Sequence, residues 1–326
     1  MQRRSWLMAI AGAASGLVPG TLRAQAYPSK AITLVTPFAA GSSPDALVRA
    51  LAQELARDFA NKAGQAVVVD NKPGASSILA AQTVARAAAD GHTLLIAGNV
   101  AFSANPHTFK QLPYDPVRDF EPITALARGP MILYANPGQV PATGADGLVS
   151  QARRVPGELS YGYTSATSRL PAEMLQQATG IRLNGVPYKA GYQALPDLLA
   201  GRIALLFTDL GALSYVKQGQ LRALAVADAQ RSPLAPDVPT FAEAGIRGVE
   251  LPYWIAAYAP ARTPEGIVRS LHGGFTKACQ SAEVQRAMAL GGTTPFVTAP
   301  GALQQFQREE AAKWGAVIRA AGLQPE

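Results

Sequence analysis

The chain has 326 residues, of which 48% are hydrophobic and 16% charged, and a formal net charge of +7. That length fits about two domains, and the composition excludes a disordered or fibrous chain. Without Arg3, Arg4 and Arg23, which fall in a leader, the 29 basic residues drop to 26 against 22 acids; no basic stripe interleaved with aromatics occurs, which argues against a nucleic-acid partner and leaves a weak attraction for anions.

The opening "MQRRSWLMAIAGAASGLVPGTLRAQA" reads as a secretory signal over residues 1–26. Arg3 and Arg4 form its basic start, "WLMAIAGAASGLV" its apolar middle, and Ala24-Gln25-Ala26 a small-residue cleavage site before Tyr27. The apolar run is too short to span a bilayer, so the expectation is export with cleavage after Ala26. The paired arginines hint at twin-arginine export without separating it from the general route. Cys279 is the single cysteine, which excludes an internal disulfide. Its amphipathic surroundings make it a small buried hydrophobe.

After the leader, "AITLVTPF" predicts a buried strand and residues 44–60 a helix. "QAVVVDN" is a strand closed by the turn "NKPG", 76–89 an Ala-rich helix, and "HTLLIAG" a third strand. A proline-rich bridge, "QLPYDPVRDFEPIT", precedes a second alternating set. There "PMILYAN", "ELSYGYT", "RLNGVPY", "RIALLFTDL" and "LRALAVAD" read as strands, with helices at 143–154, 170–179 and "YQALPDLLA". A second polar bridge leads to the strand "YWIAAYAP" and two long helices near 264–290 and 299–321. Such alternation predicts an α/β fold with two mainly parallel sheets flanked by helices. Ligands of such sheets bind beyond the strands' carboxyl ends, at helix starts.

Two strand-to-helix loops carry the polar chemistry. In "PFAAGSSPD", Ser43 is a good N-cap, Pro44 suits the first helical position and Asp45 the first turn. Gly41 would let backbone approach a ligand, while Ser42 and Ser43 offer hydroxyls. The loop fits either an anion site at a helix start or an ordinary cap. In "YGYTSATSRL", Thr164, Ser165, Thr167 and Ser168 crowd hydroxyls at another helix start, and Arg169 adds a cation suited to a carboxylate, or simply a solvated side chain.

Enzyme signatures are missing: no phosphate-binding G-x-x-x-x-G-K-[ST], no G-x-G-x-x-G and no G-x-S-x-G occurs. His92, His107 and His272 are widely separated, without metal-ligand spacing. A hydrolase or lyase using Ser42 or Ser165 would lack a base. The expectation is therefore no catalysis and no cofactor.

With the loops placed, the chain resembles the Bug family of periplasmic solute-binding proteins, the receptors related to the tripartite tricarboxylate transporter. The resemblance rests on "YPSKAITLVTPFAAGSSPDALVRALAQEL", "VVVDNKPGASS", "ADGHTLLIAGN", "NPHTFKQLPYDPVRDFEPIT", "GVPYKAGYQALPDLLAGRI", "GQLRALAVADAQRSPLAPDVPTFAEAGI" and "YAPARTPEGIV", in that order. It implies a two-lobed type II periplasmic binding-protein fold (a Venus flytrap) with lobe 1 over 27–128, lobe 2 over 129–251 and a return to lobe 1 over 252–326. The hinge would be crossed near 127–131 and 249–257. The implied ligand is a small organic acid or amino acid held by backbone amides, hydroxyls and bridging water. The implied partner is a membrane permease of the tripartite tricarboxylate type, or a sensor kinase, with the receptor working as a monomer.

Carried over by the resemblance, the site comprises Phe38, Ala40, Gly41, Ser42, Ser43 and Asp45, then Asn99 and Ala101, then the 163–169 loop, Tyr188, Gly191 and Asp209. Tyr188 fits equally a core ring. Asp209 would repel a carboxylate but could bind an amino group or a water. The chain departs from the family where Ala101-Phe102 replaces Thr-His before "NP", where "YTSATSRL" replaces a longer loop with Ser-His, and where Ala-Ala replaces prolines in the first loop. Arg169 and Phe102 therefore suggest an acid with an apolar or aromatic portion.

Overall fold

A computed structural model describes residues 27–164, 166–188 and 191–325. The leader and Ser165 lie outside the described residues. The first sheet begins with β1 (Ile32–Thr36), β2 (Val67–Asn71) and β3 (Thr93–Gly98), with α1 (Ser43–Ala63) and α2 (Ile78–Ala85) between them. A π-turn at Val100–Ala104 and the short α3 (Asn105–Thr108) lead to β4 (Phe120–Gly129). The second sheet holds β5 (Ile132–Ala135), β6 (Ser160–Tyr163), β7 (Asn184–Pro187), β8 (Leu205–Thr208) and β9 (Arg222–Val226). Its helices are α4 (Ala145–Arg154), α5 (Ala166–Thr179), α6 (Gly191–Leu199) and α7 (Leu213–Lys217). The chain then re-enters the first sheet through β10 (Tyr253–Pro260), α8 (Glu265–Cys279), α9 (Ala282–Leu290), β11 (Thr294–Pro295) and α10 (Pro300–Ala320).

Strand order is β11-β4-β10-β3-β1-β2 in one sheet and β7-β6-β8-β5-β9 in the other. The two-lobed α/β architecture is as the sequence implied, but the sheets are mixed rather than mainly parallel. β1 pairs in parallel with β2 and β3, whereas β10 runs antiparallel to both β3 and β4. Likewise β6 is parallel to β7 and β8, while β5 is antiparallel to β8 and β9. β11 runs antiparallel to β4 at the sheet edge, and β5 and β10 are the strands by which the chain enters each sheet from the other. They arrive without the helical crossover that a parallel neighbour requires.

Period-two alternation fills both faces of each sheet. In β3, Leu94 and Ile96 pack with α1 and α8, while Leu95 and Ala97 pack with α2, Phe102 and Trp254. Leu133 and Phe207 join α4 and α5 on one face of the second sheet, and Ile132 and Leu206 join α6 on the other. Each such side chain, fully buried, contributes about 1.5–3 kcal/mol.

Three local expectations need correction. The bridge "QLPYDPVRDFEPIT" ends inside β4, and Pro122 is accommodated there beside a register shift in the pairing with β10. The single helix near 264–290 is two, because Ser281 caps α9 by accepting from the Val284 N–H at 3.2 Å. The helix at 76–89 shrinks to Ile78–Ala85, since Ala75, Ser76 and Ser77 all have left-handed φ (45°, 49° and 69°).

Candidate functional site

The carboxyl ends of both sheets face one another across a cavity of about 420 Å³. The first lobe supplies the loop after β1, Ser77, and Asn99 at the end of β3; the second supplies Thr164, Thr167 and Ser168 around the start of α5, with Leu206 to Asp209 at the end of β8. Met131 and Tyr253 to Ile255, where the chain passes between sheets, complete the wall. Among the described residues a hydrogen bond spans the mouth: Asn99 Nδ2 donates to Thr167 Oγ1 at 3.1 Å.

The first loop is held by its own side chains. Ser42, rather than Ser43, closes the helix start: its hydroxyl donates to the Ala39 carbonyl at 2.6 Å and accepts the Asp45 N–H at 3.4 Å. Asp45 is buried, and its carboxylate accepts from Gly41 N–H, Arg49 Nε and Asn71 Nδ2 at 2.7–2.9 Å. Gly41 is needed for its φ of +81°, since a Cβ there would meet nothing within 4 Å. In the second loop, Thr164 N–H donates to Ser168 Oγ at 3.0 Å. The floor is tight at Gly98, where a Cβ would fall 1.8 Å from the Trp254 carbonyl oxygen.

Of the sequence-derived candidates, Phe38, Ser42, Asn99, Thr164, Thr167, Ser168 and Asp209 line the cavity together. The others lie off its wall, for identifiable reasons. Ala40, Gly41 and Asp45 shape the first loop from behind, and Ser43 sits against Gly291. Ala101 is fully buried in the π-turn. Arg169 is engaged with Glu173 at 3.1 Å and lies over the Tyr163 ring, 5.1 Å from its centroid. Tyr188 donates its hydroxyl to Asp197 Oδ2 at 2.8 Å, and Gly191 begins α6. Phe102 is a core ring stacked on Tyr258 at 4.0 Å, so it lends the cleft no aromatic wall.

Sequence reasoning missed Ser77, Met131, Thr208 and the Tyr253 to Ile255 segment. Ser77 had a local signal, a polar residue after "NKPG" and before an apolar helix. The strand start at 253–255 had none, because only topology brings an apolar strand to the cleft.

Among the described residues lining the cavity there is no Arg, Lys or His. The ionisable groups there are Asp209 and Tyr253. Burial pushes the Asp209 carboxyl above its ordinary value, only partly offset by the Gly211 N–H that it accepts at 2.9 Å. Burial, then the Asp209 charge, pushes Tyr253 up as well. No group of three His, Cys, Asp or Glu among the described residues is placed to hold a metal.

A cleft between two α/β lobes, walled by helix starts and hydroxyls, defines a binding protein of the periplasmic type. The family model described as the tripartite tricarboxylate transporter family receptor matches residues 51–323, and the chain belongs to that family. It is 32% identical over 322 residues to protein BugT of Bordetella pertussis, covering 97% of each chain. Among solved structures, an R. palustris protein with adipate aligns at TM-score 0.83 and 34% identity, covering 92% of this chain and 100% of that one. MatC from Rhodopseudomonas palustris with bound malate aligns at TM-score 0.78 and 30% identity, covering 90% and 100%. The periplasmic binding protein BugD aligns at TM-score 0.80 and 30% identity, covering 92% and 100%.

Proposed function

We propose that this chain is exported, cleaved after Ala26, and acts in the periplasm as a monomeric, non-catalytic receptor for a small organic carboxylate. The lobes are 27–128 with 252–326, and 129–251. They close on the acid by hinge rotation, and the closed form is presented to a membrane permease of the tripartite tricarboxylate type. The observation that carries this reading is the 420 Å³ cavity walled by both lobes and bridged by Asn99 and Thr167. A ligand touching both walls favours the closed state by its extra contacts there, which is what closure requires. Adipate and malate in the related structures support an organic acid as the ligand class. Among the described residues no helix is long and apolar enough to cross a membrane.

Among the described residues, the lining hydroxyls have no imidazole or lysine on the same wall to act as their base. The test is mass spectrometry of solute released from natively purified protein, followed by calorimetry and small-angle scattering with that solute. An unchanged acid recovered stoichiometrically, with a more compact particle in its presence, supports the reading. Conversion of the acid, or two rigid halves that ignore every acid offered, overturns it.

A further inference from the structure

We infer that the cleft takes an acid with one ionised carboxylate at the helix starts and a hydrogen-bond donor, such as a hydroxyl or ammonium, at Asp209, and disfavours a second ionised carboxylate. This deepens the receptor reading and rests on it. The argument is one of charge balance. The first turns of α1 and α5 both reach the cavity wall, through Ser42 and Pro44 on one side and Thr167 and Ser168 on the other. A helix start carries about half a positive charge, and the Asp45 carboxylate in the first turn of α1 is offset by Arg49 at 2.9 Å, so the two starts together balance at most one carboxylate.

No cation among the described lining residues balances a second one. The described lining residues include no Arg, Lys or His, and Arg169 is turned to Glu173 and Tyr163. Among the described lining residues the one carboxyl group is Asp209, which pairs with no described cation. The groups facing it are Gly211 N–H from its own turn, Tyr134 of β5, whose hydroxyl donates to the Asp209 carbonyl at 3.1 Å, and Tyr253 of β10. Burial first, and then the Asp209 charge, hold both tyrosines above their ordinary values, so neither supplies an anion. A ligand donor would satisfy the acceptor that burial leaves to Asp209. A second carboxylate there would be a like charge in a poorly solvated site, admitted only if one of the two acids takes up a proton.

The test is calorimetry on the mature chain with straight acids of about three to eight carbons, ending in methyl, hydroxyl, amino or a second carboxylate. Titrations are run near pH 7.5 and near pH 5.5, in buffers of different ionisation enthalpy, on the natural protein and on Asp209→Asn. At the higher pH the hydroxy or amino acid of the best length should bind about tenfold or more tightly than the diacid. The diacid should take up about one proton and tighten at the lower pH. Asp209→Asn, which keeps an acceptor for Gly211, should abolish that uptake and close the gap. A diacid that binds as tightly as its hydroxy counterpart without proton uptake overturns the inference and leaves the receptor reading intact. So does a gap that survives in Asp209→Asn. Folded natural protein that binds none of these acids overturns both.

Discussion

Gly292 is a point of tight contact between the two lobes. It lies between α9 and β11 at φ +70°, and a Cβ there would fall 2.4 Å from Leu210 Cβ and 2.9 Å from the Leu210 backbone nitrogen. Leu210 belongs to the other lobe, in the turn after β8. The blocking atoms are a Cβ and a backbone atom, so a rotamer change in Leu210 cannot relieve the clash. Ordinary carbon contact is about 3.5 Å, so Gly292→Ala must part the lobes by about 1 Å. That much separation, transmitted to the mouth, would also lengthen the 3.1 Å bond between Asn99 and Thr167 beyond use. Two costs separate in the assay. The left-handed φ costs an alanine about 1–2 kcal/mol in any arrangement of the lobes and appears as lower thermal stability. The wedge costs about 1–3 kcal/mol only when the lobes meet, and appears as a loss of ligand affinity of about 5- to 150-fold. Calorimetry with the native solute, paired with thermal unfolding without it, reads the two. Affinity within twofold of the natural protein, with the unfolding midpoint lowered, would refute the view that this contact closes the cleft.

Replacing Asp45 by Asn should loosen the first loop, because three donors converge on its carboxylate. Burial alone would raise this acid, but hydrogen bonds from Asn71, Arg49 and Gly41 N–H outweigh it and hold it below the ordinary range. Its contribution is therefore complete above about pH 4 and is lost as pH falls through the lower folded value. Denaturant titrations should show Asp45→Asn about 1–3 kcal/mol less stable at neutral pH, with a shallower loss in acid. Arg169→Ala should leave ligand affinity within about twofold and lower stability slightly, by about 1 kcal/mol or less, since its partners are Glu173 and Tyr163 rather than the cavity. A tenfold affinity loss would place its guanidinium in the site after all. Cys279 is buried and its thiol is pushed up to about 12 by burial, so it should resist thiol reagents until the protein unfolds. Labelling of the folded protein at the rate of a free thiol would contradict that burial.

Legibility followed the range of the forces involved. Strands such as Thr93–Gly98 and the helix Ser43–Ala63 were readable because apolar period and capping residues are local. The direction of β10 was not, because nothing within "YWIAAYAP" says which neighbours it will have. Nor was the reach of α10. Its amphipathic pattern shows that a stripe is buried but not against what, and the structure divides that stripe. Leu303 packs with the first lobe's β10 and π-turn, whereas Trp314 and Ile318 join the cluster that holds Leu170 and Phe207 of the second.

The site divides in the same way. Its two polar loops were legible because serine and threonine before a helix have a mechanism of their own at that position. The same mechanism explains why reading them overshot, since Asp45 and the Ser42 hydroxyl serve the loop itself. Arg169 looked like the natural grip for an acid, yet Glu173, four residues on along α5, holds it at 3.1 Å. What remains facing the ligand is largely backbone and neutral hydroxyl, groups that many sequences could supply. On the reading proposed above, those groups fix where an acid binds without fixing which one. On the same reading, selectivity falls to Asp209, the carboxyl group on the described wall, while Gly292 sets how near Leu210 comes.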